Sequence, residues 1–93
     1  MPVEAVLDLH GHTLESGFDA LVKFIYAQEK RGARCLLLIT GKGGFLGRGV
    51  IKAEVPNWMN APEIRSLILS YCLAKPEDGG EGAFYILLKR RRS

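Results

Sequence analysis

The chain has 93 residues, of which 47% are hydrophobic, 25% charged and 9% aromatic, as expected for one globular domain with one core. It contains no run of roughly eighteen apolar residues that would span a membrane, and its first residues lack the basic start of a signal peptide. The net charge of +3 is too small to identify a polyanionic partner by itself. We expect a single cytoplasmic domain over residues 1–93, which could be part of a longer protein.

The first forty residues predict a strand, a helix and a second strand. Residues 3–10 alternate as a strand, and the helix that follows begins after the N-cap Thr13 and ends at Gly32, a natural left-handed C-cap. Residues 34–40 form an apolar run typical of a central strand. A right-handed crossover between parallel strands brings their carboxyl ends, at His10 and Thr40, to the same edge of the sheet. The inward residues are expected to be Ala5, Leu7 and Leu9 in the strand and Leu14, Phe18, Leu21, Val22 and Ile25 in the helix.

The second half of the chain predicts one helix and two strands. Residues 49–60 read as a helix, but Pro56 removes a backbone donor, so this helix is expected to end or kink near Glu54 before a turn that carries Trp58. Residues 64–73 alternate as a strand, and residues 83–90 form the last one. The order βαβαββ predicts an α/β fold, a two-layer sandwich with a mixed four-stranded sheet that closes in an antiparallel hairpin. The inward residues are expected to be Val50, Ile51, Val55 and Met59 in the helix and Leu67, Leu69, Tyr71 and Leu73 in the third strand.

The two cysteines, Cys35 and Cys72, both lie in apolar runs and lack any metal-type spacing. We expect them to be reduced residues of the core, where a thiol behaves as a small hydrophobic group.

Asp8 and His10 have the same parity at the end of the first strand, so both project from the same face. A histidine in such a place is more often structural than catalytic, and an aspartate before a turn often caps backbone N–H groups. His12, in the turn itself, is a weaker candidate.

The segment "TGKGG", residues 40–44, continues as "FLGRG" into the second helix. A glycine-rich turn before a helix exposes backbone N–H groups that can bind an anion. The spacing matches neither a P-loop nor the dinucleotide-binding fingerprint, and glycines could equally serve a tight turn.

Together the two segments would place an imidazole and a carboxylate beside cations and backbone N–H groups, an array suited to cleaving a phosphodiester. His10 would transfer protons, Asp8 would fix its tautomer, and Lys42 would stabilise charge on the phosphate. Asp8 is the only carboxylate in these loops, so no cofactor is evident and any Mg²⁺ would bind weakly or through the nucleic acid. The catalytic candidates are Asp8, His10 and Lys42. The candidates for binding the phosphate ligand, which is a nucleic acid or a smaller phosphorylated molecule, are Thr40, Gly41, Gly43, Gly44, Arg48, Lys52 and Arg90.

Four segments, "LDLHGHT", "LLITGKGG", "GVIKAEVPNWM" and "GGEGAFYILL", together resemble the Smr domain, a small MutS-related module, over nearly the whole chain. The family's LDxHG motif maps onto residues 7–11 and its TGxG motif onto residues 40–43. The resemblance implies a fold similar to the C-terminal domain of a bacterial translation initiation factor. It also implies binding to DNA or RNA and, in many members, endonuclease or nicking activity. Phe45 and Leu46 stand where similar domains often have polar residues.

Three functions remain open at this stage. The first is an endonuclease acting on DNA or RNA. The second is a non-catalytic nucleic-acid-binding module that uses the same loop and the basic residues 89–92. The third, a protein-interaction module using Trp58 or Phe45, has little support because Trp58 lies on an apolar helix face typical of the core. We expect nucleic acid as the partner, no membrane contact, and a monomer for the isolated domain.

Overall fold

The structure is a computed structural model that describes residues 2–41 and 50–90. It contains strands β1 (Ala5–Asp8), β2 (Cys35–Ile39), β3 (Ile68–Leu73) and β4 (Ala83–Leu88), and helices α1 (Leu14–Arg31) and α2 (Val50–Met59). The sheet order is β1-β2-β4-β3. β1 runs parallel to β2, whereas β4 is antiparallel to both β2 and β3. The predicted mixed four-stranded sheet of a two-layer α/β fold is therefore confirmed.

Both helices pack on one face of the sheet and share one core with it. Leu21 and Ile25 of α1 are fully buried there, and so is Val55 of α2. Trp58 is also buried, as predicted, and its ring lies 5.7 Å from that of Phe18. The sheet contributes the fully buried side chains Leu36, Leu38, Ile86 and Leu88.

The ends of α1 follow the predicted capping pattern. The Thr13 side chain accepts a hydrogen bond from the backbone N–H of Ser16 at 3.0 Å, which satisfies a donor that the first helical turn leaves unpaired. At the other end, Gly32 has φ of +79° and its N–H donates to the carbonyl groups of the last turn. The prediction that Leu14 and Val50 face the core is wrong, because their side chains are 41% and 54% exposed. Leu14 is the first residue of α1, and it lies between the exposed residues Thr13 and Glu15 at the start of the helix.

Helix α2 continues through Pro56 to Met59, so the predicted end near Glu54 is wrong. Pro56 is exposed and removes only its own donor, while buried residues on both sides of it, Val55 and Trp58, hold the helix against the core. The amide nitrogen of Asn60 donates to the Pro56 carbonyl at 3.0 Å and closes the last turn.

Strand β3 differs most from its prediction. It begins at Ile68, because Arg65–Leu67 form a short 3-10 helix. Leu69, Tyr71 and Leu73, which were expected to face inward, are 56%, 37% and 50% exposed. Cys72, predicted in the core, is exposed as well. β3 is the edge strand of the sheet, and a register shift between Ile68 and Ser70 interrupts its alternation, so sequence parity does not define its buried face. Alternation predicted a strand correctly, but not which side chains would be buried.

Candidate functional site

The carboxyl ends of β1 and β2 lie side by side. Asp8 is paired with Ile39 in the parallel ladder, and the next N–H, of Leu9, donates to the Ile39 carbonyl at 2.7 Å. His10 and Thr40 therefore emerge at the same edge of the sheet, as the βαβ pattern predicted.

Asp8 and His10 form a close pair at this edge. Oδ1 of Asp8 accepts the backbone N–H of His10 at 2.9 Å and lies 2.8 Å from Nδ1 of the His10 ring. With the carboxylate ionised, Nδ1 carries the ring proton, and Nε2 of the neutral imidazole is left as an acceptor. The His10 side chain is 78% exposed, so a ligand has access to the ring.

The hydrogen bonds from His10 lower the pKa of the Asp8 carboxyl below its ordinary value. The backbone N–H of His10 has the largest effect, followed by its ring, while partial burial acts in the opposite direction. Asp8 is therefore a carboxylate at neutral pH and a permanent acceptor for the His10 ring.

The second histidine of the motif has different contacts. Nδ1 of His12 lies 3.1 Å from the Ser16 hydroxyl at the start of α1, and the His12 backbone N–H donates to the Leu9 carbonyl at 3.0 Å. Gly11 makes this turn with φ of +84°, a left-handed conformation that suits glycine. The turn thus directs one imidazole to Asp8 and the other to the helix start.

Thr40 and Gly41 are held by a third segment of the chain. Their N–H groups both donate to the Gly82 carbonyl, at 2.9 and 3.0 Å, and the buried Thr40 hydroxyl donates to the Gly41 carbonyl at 3.0 Å. Gly41 has φ of +81°, so the chain turns sharply as it leaves β2. Contact of these two residues with phosphate remains a prediction, and the backbone N–H groups that it would use already have an acceptor.

Sequence reasoning from local pattern did not identify this third segment, Gly79–Gly82, as part of the site. The pairing of Ala83 with Ile39 places it at the edge that carries Asp8 and His10. Gly79 has φ of +115°, and a Cβ there would lie 2.9 Å from the Cβ of Ala83. The signal available in the sequence was the glycine spacing of "GGEG".

The remaining candidates are placed elsewhere. Lys52 lies, half-exposed, in the first part of α2. Arg90 follows β4, and because β4 is antiparallel to β2, Arg90 is at the opposite edge of the sheet from Asp8. Four candidates, together with Phe45 and Leu46, lie outside the described residues: Lys42, Gly43, Gly44 and Arg48.

Within residues 2–41 and 50–90, no group of three or more His, Cys, Asp or Glu side chains could hold a metal ion. In the same ranges, neither helix has the length and apolar character needed to cross a membrane.

Comparison with known proteins identifies the family. The family model of the Smr domain matches residues 7–89. The crystal structure of YdaL, a stand-alone small MutS-related protein from Escherichia coli, superposes with a TM-score of 0.83 at 28% identity, over 96% of this chain and 67% of YdaL. The Smr domain of Thermus thermophilus MutS2 has the same fold, with a TM-score of 0.79 at 22% identity over 92% of this chain and 99% of that domain. No curated protein sequence gave a significant match. The family is associated with nucleic-acid binding and nicking. The chain belongs to the Smr domain family.

Proposed function

We propose that this domain binds nucleic acid and cleaves a phosphodiester bond in DNA or RNA, as a nicking enzyme or endonuclease. The observation that supports the proposal best is the Asp8 and His10 pair, in which one ring nitrogen is 2.8 Å from a carboxylate oxygen and the ring is 78% exposed. A histidine held by a carboxylate in this way is arranged to act as a general base.

In the proposed reaction, Nε2 of His10 takes a proton from the attacking oxygen, which is a water or, in RNA, the 2′-hydroxyl. That oxygen forms a bond to phosphorus as the bond to the leaving oxygen breaks, and the leaving oxygen takes up a proton. Asp8 holds Nδ1–H and stabilises the imidazolium that forms. Lys42 stabilises the negative charge that builds on the phosphate.

The remaining candidates bind the nucleic acid in this proposal. The residues that contact phosphates of the bound strand are Thr40, Gly41, Gly43, Gly44, Arg48 and Lys52. Arg90 contacts a phosphate farther along the bound strand. The domain acts in the cytoplasm as a monomer, and any Mg²⁺ that takes part is bound weakly or through the nucleic acid.

The test is a cleavage assay with three labelled substrates side by side: single-stranded RNA, duplex DNA and supercoiled plasmid, each with Mg²⁺ and with EDTA. We expect the wild-type protein to cut at least one substrate and His10→Ala to abolish cutting while binding stays nearly intact. An RNA product with a cyclic phosphate, formed in EDTA, would indicate attack by the 2′-hydroxyl.

Binding to all substrates without product at long times would contradict the proposed cleavage and leave a nucleic-acid-binding module. Lys42→Ala and Arg48→Ala would then be expected to lower affinity and to flatten its dependence on salt, since each removes a phosphate contact.

A further inference from the structure

A groove of about 300 Å³ lies between the end of α2 and the edge strand β3, away from Asp8 and His10. The groove is lined by Met59, Asn60, Arg65, Ile68, Leu69, Ser70 and Tyr71. Across the sheet, β1 and β3 are separated by three inter-strand spacings of about 4.8 Å, or about 14 Å in all.

Tyr71 gives this groove an accessible and well-supported aromatic ring. Its side chain is among the exposed large hydrophobic groups, and its ring lies 6.3 Å from that of Phe84, which is buried in the core. Leu69, in the same groove, is 56% exposed. The tyrosine is thus held from behind by the core while part of its ring remains open to a planar ligand.

The groove also has polar side chains in its lining. The Asn60 amide nitrogen donates to the Pro56 carbonyl, which leaves its Oδ1 as an acceptor. Arg65 is exposed, and among the described residues it makes no salt bridge, even with its sequence neighbour Glu63. An unpaired arginine beside an exposed aromatic ring favours an anionic, planar partner.

Further cations surround this end of the sheet. The N–H of Lys89 donates to the Leu67 carbonyl at 2.8 Å, and Nε of Arg34 donates to the Leu88 carbonyl at 2.9 Å. Neither Lys89 nor Arg90 forms a salt bridge with another described residue. Arg65 lines the groove, and Lys89 and Arg90 follow β4 at this end of the sheet; we call these three residues the positive rim. Their charge disfavours a purely apolar peptide and favours a polyanion.

We propose that this groove is a second binding site for single-stranded nucleic acid: one base stacks on Tyr71, Asn60 Oδ1 accepts a hydrogen bond from it, and the positive rim contacts the neighbouring phosphates. The inference rests on the proposed function, because the strand held here is the strand that also reaches His10. Stacking on an aromatic ring beside cations is a general mode of binding single strands. The separation of the two sites means that only strands long enough to reach both gain the full affinity.

The test is the affinity of the whole chain for labelled single strands of about 4 and about 16 nucleotides, lengths that span the usual range of single-strand sites. For the longer strand we expect Tyr71→Ala and Arg65→Ala each to weaken binding about tenfold, and Tyr71→Phe, which keeps the ring, to bind like wild type. The shorter strand should bind wild type much more weakly than the longer one, because it has too few bases and phosphates to occupy both sites fully. Lys23→Ala, which removes one cation that is paired with Asp19 on α1, is the matched charge control and should have little effect.

Each alternative result has a defined meaning. If wild type binds the longer strand and neither Tyr71→Ala nor Arg65→Ala changes that affinity, the groove is not a nucleic-acid site, while the proposed function stands. If wild type binds neither single strand, the groove is not a single-strand site and the inference is overturned, while the proposed function is still decided by the duplex and plasmid substrates. If Tyr71→Ala abolishes concentration-dependent self-association in sedimentation and leaves nucleic-acid affinity unchanged, the groove takes a second copy of the chain and the inference is overturned.

Discussion

At the scale of single residues, Asp8 uses one oxygen, Oδ1, for both of its bonds to His10. The bond from the backbone N–H does not depend on which side chain residue 10 carries. The strand end and the turn therefore set the position of the carboxylate before the ring binds to it, and Asp8 is a prepared acceptor that selects one orientation of the imidazole.

The first prediction concerns the ionisation of Asp8. Its pKa is lowered on folding, so its contribution to stability is present at neutral pH and is lost as the pH falls through the folded pKa. Because the backbone N–H of His10 is the largest cause, we expect His10→Ala to raise the Asp8 pKa only part of the way to its ordinary value. A carboxyl ¹³C NMR titration of both proteins measures this, and a full return to the ordinary value in His10→Ala would contradict the account.

At the scale of elements, the contact between α1 and α2 depends on a glycine within a helix. A Cβ on Gly17 would lie 3.3 Å from Cη2 of Trp58, 3.6 Å from Cβ of His12 and 3.7 Å from a methyl carbon of Leu9. Glycine normally weakens a helix interior, but here it lets the indole ring of α2 approach the first turns of α1. The same position lies beside His12, in the turn before α1.

The second prediction tests this close approach. Gly17→Val should lower the free energy of unfolding by about 2 kcal/mol, because the branched side chain must displace the Trp58 ring. Ala27→Val, at an exposed position of the same helix, is the control and should cost only a few tenths of a kcal/mol through helix propensity. Urea unfolding of both variants measures the difference. Equal losses of unfolding free energy would show that the contact with Trp58 does not limit the size of the side chain at position 17.

At the scale of the whole molecule, one sheet face has two different environments. β4 lies between β2 and β3 and places Ile86 and Leu88 fully inside the core, whereas β3 leaves Leu69 and Leu73 exposed on the edge. The two helices cover the inner strands β2 and β4 but leave part of the edge strand β3 open. The open part of β3 forms one wall of the proposed second nucleic-acid site.

The third prediction compares two aliphatic truncations on the neighbouring strands. Ile86→Ala should lower the free energy of unfolding by about 3 kcal/mol, because it leaves a cavity in the core. Leu73→Ala, at a half-exposed edge position outside the groove, should change it by less than about 0.5 kcal/mol. Urea midpoints at constant slope measure both effects, and a large loss for Leu73→Ala would mean that β3 is covered by something else in solution.

Much of this fold was predictable because the signals are local. Thr13 and Gly32 mark the ends of α1 by their side-chain chemistry, and the apolar run of β2 predicts a central strand. The exposure of β3 was not predictable, since alternation defines two faces but not how far the helices extend over them. The continuation of α2 past Pro56 depends on tertiary packing of Val55 and Trp58.

The candidate site likewise has one part that the sequence predicts and one part that it does not. Asp8 and His10 were found because parity and the βαβ crossover are sufficient to place them at one edge. The bonds from Thr40 and Gly41 to Gly82 join positions about forty residues apart, and no local pattern predicts them. The third segment of the site, Gly79–Gly82, is therefore identified only by the strand pairing and the hydrogen bonds of the folded protein.

The measurement that tests the central claim most directly is the cleavage rate of two histidine variants on the substrate that wild type cuts best. His10 is bound to Asp8, whereas the His12 ring contacts Ser16 at the start of α1, so the variants differ in the partner that each removes. We predict that His10→Ala loses at least about a hundredfold in rate, the lower range for removal of a general base, while His12→Ala stays within a fewfold of wild type. Equal rates for His10→Ala and wild type, with both proteins folded and binding the substrate, would contradict the assignment of this pair as the functional centre.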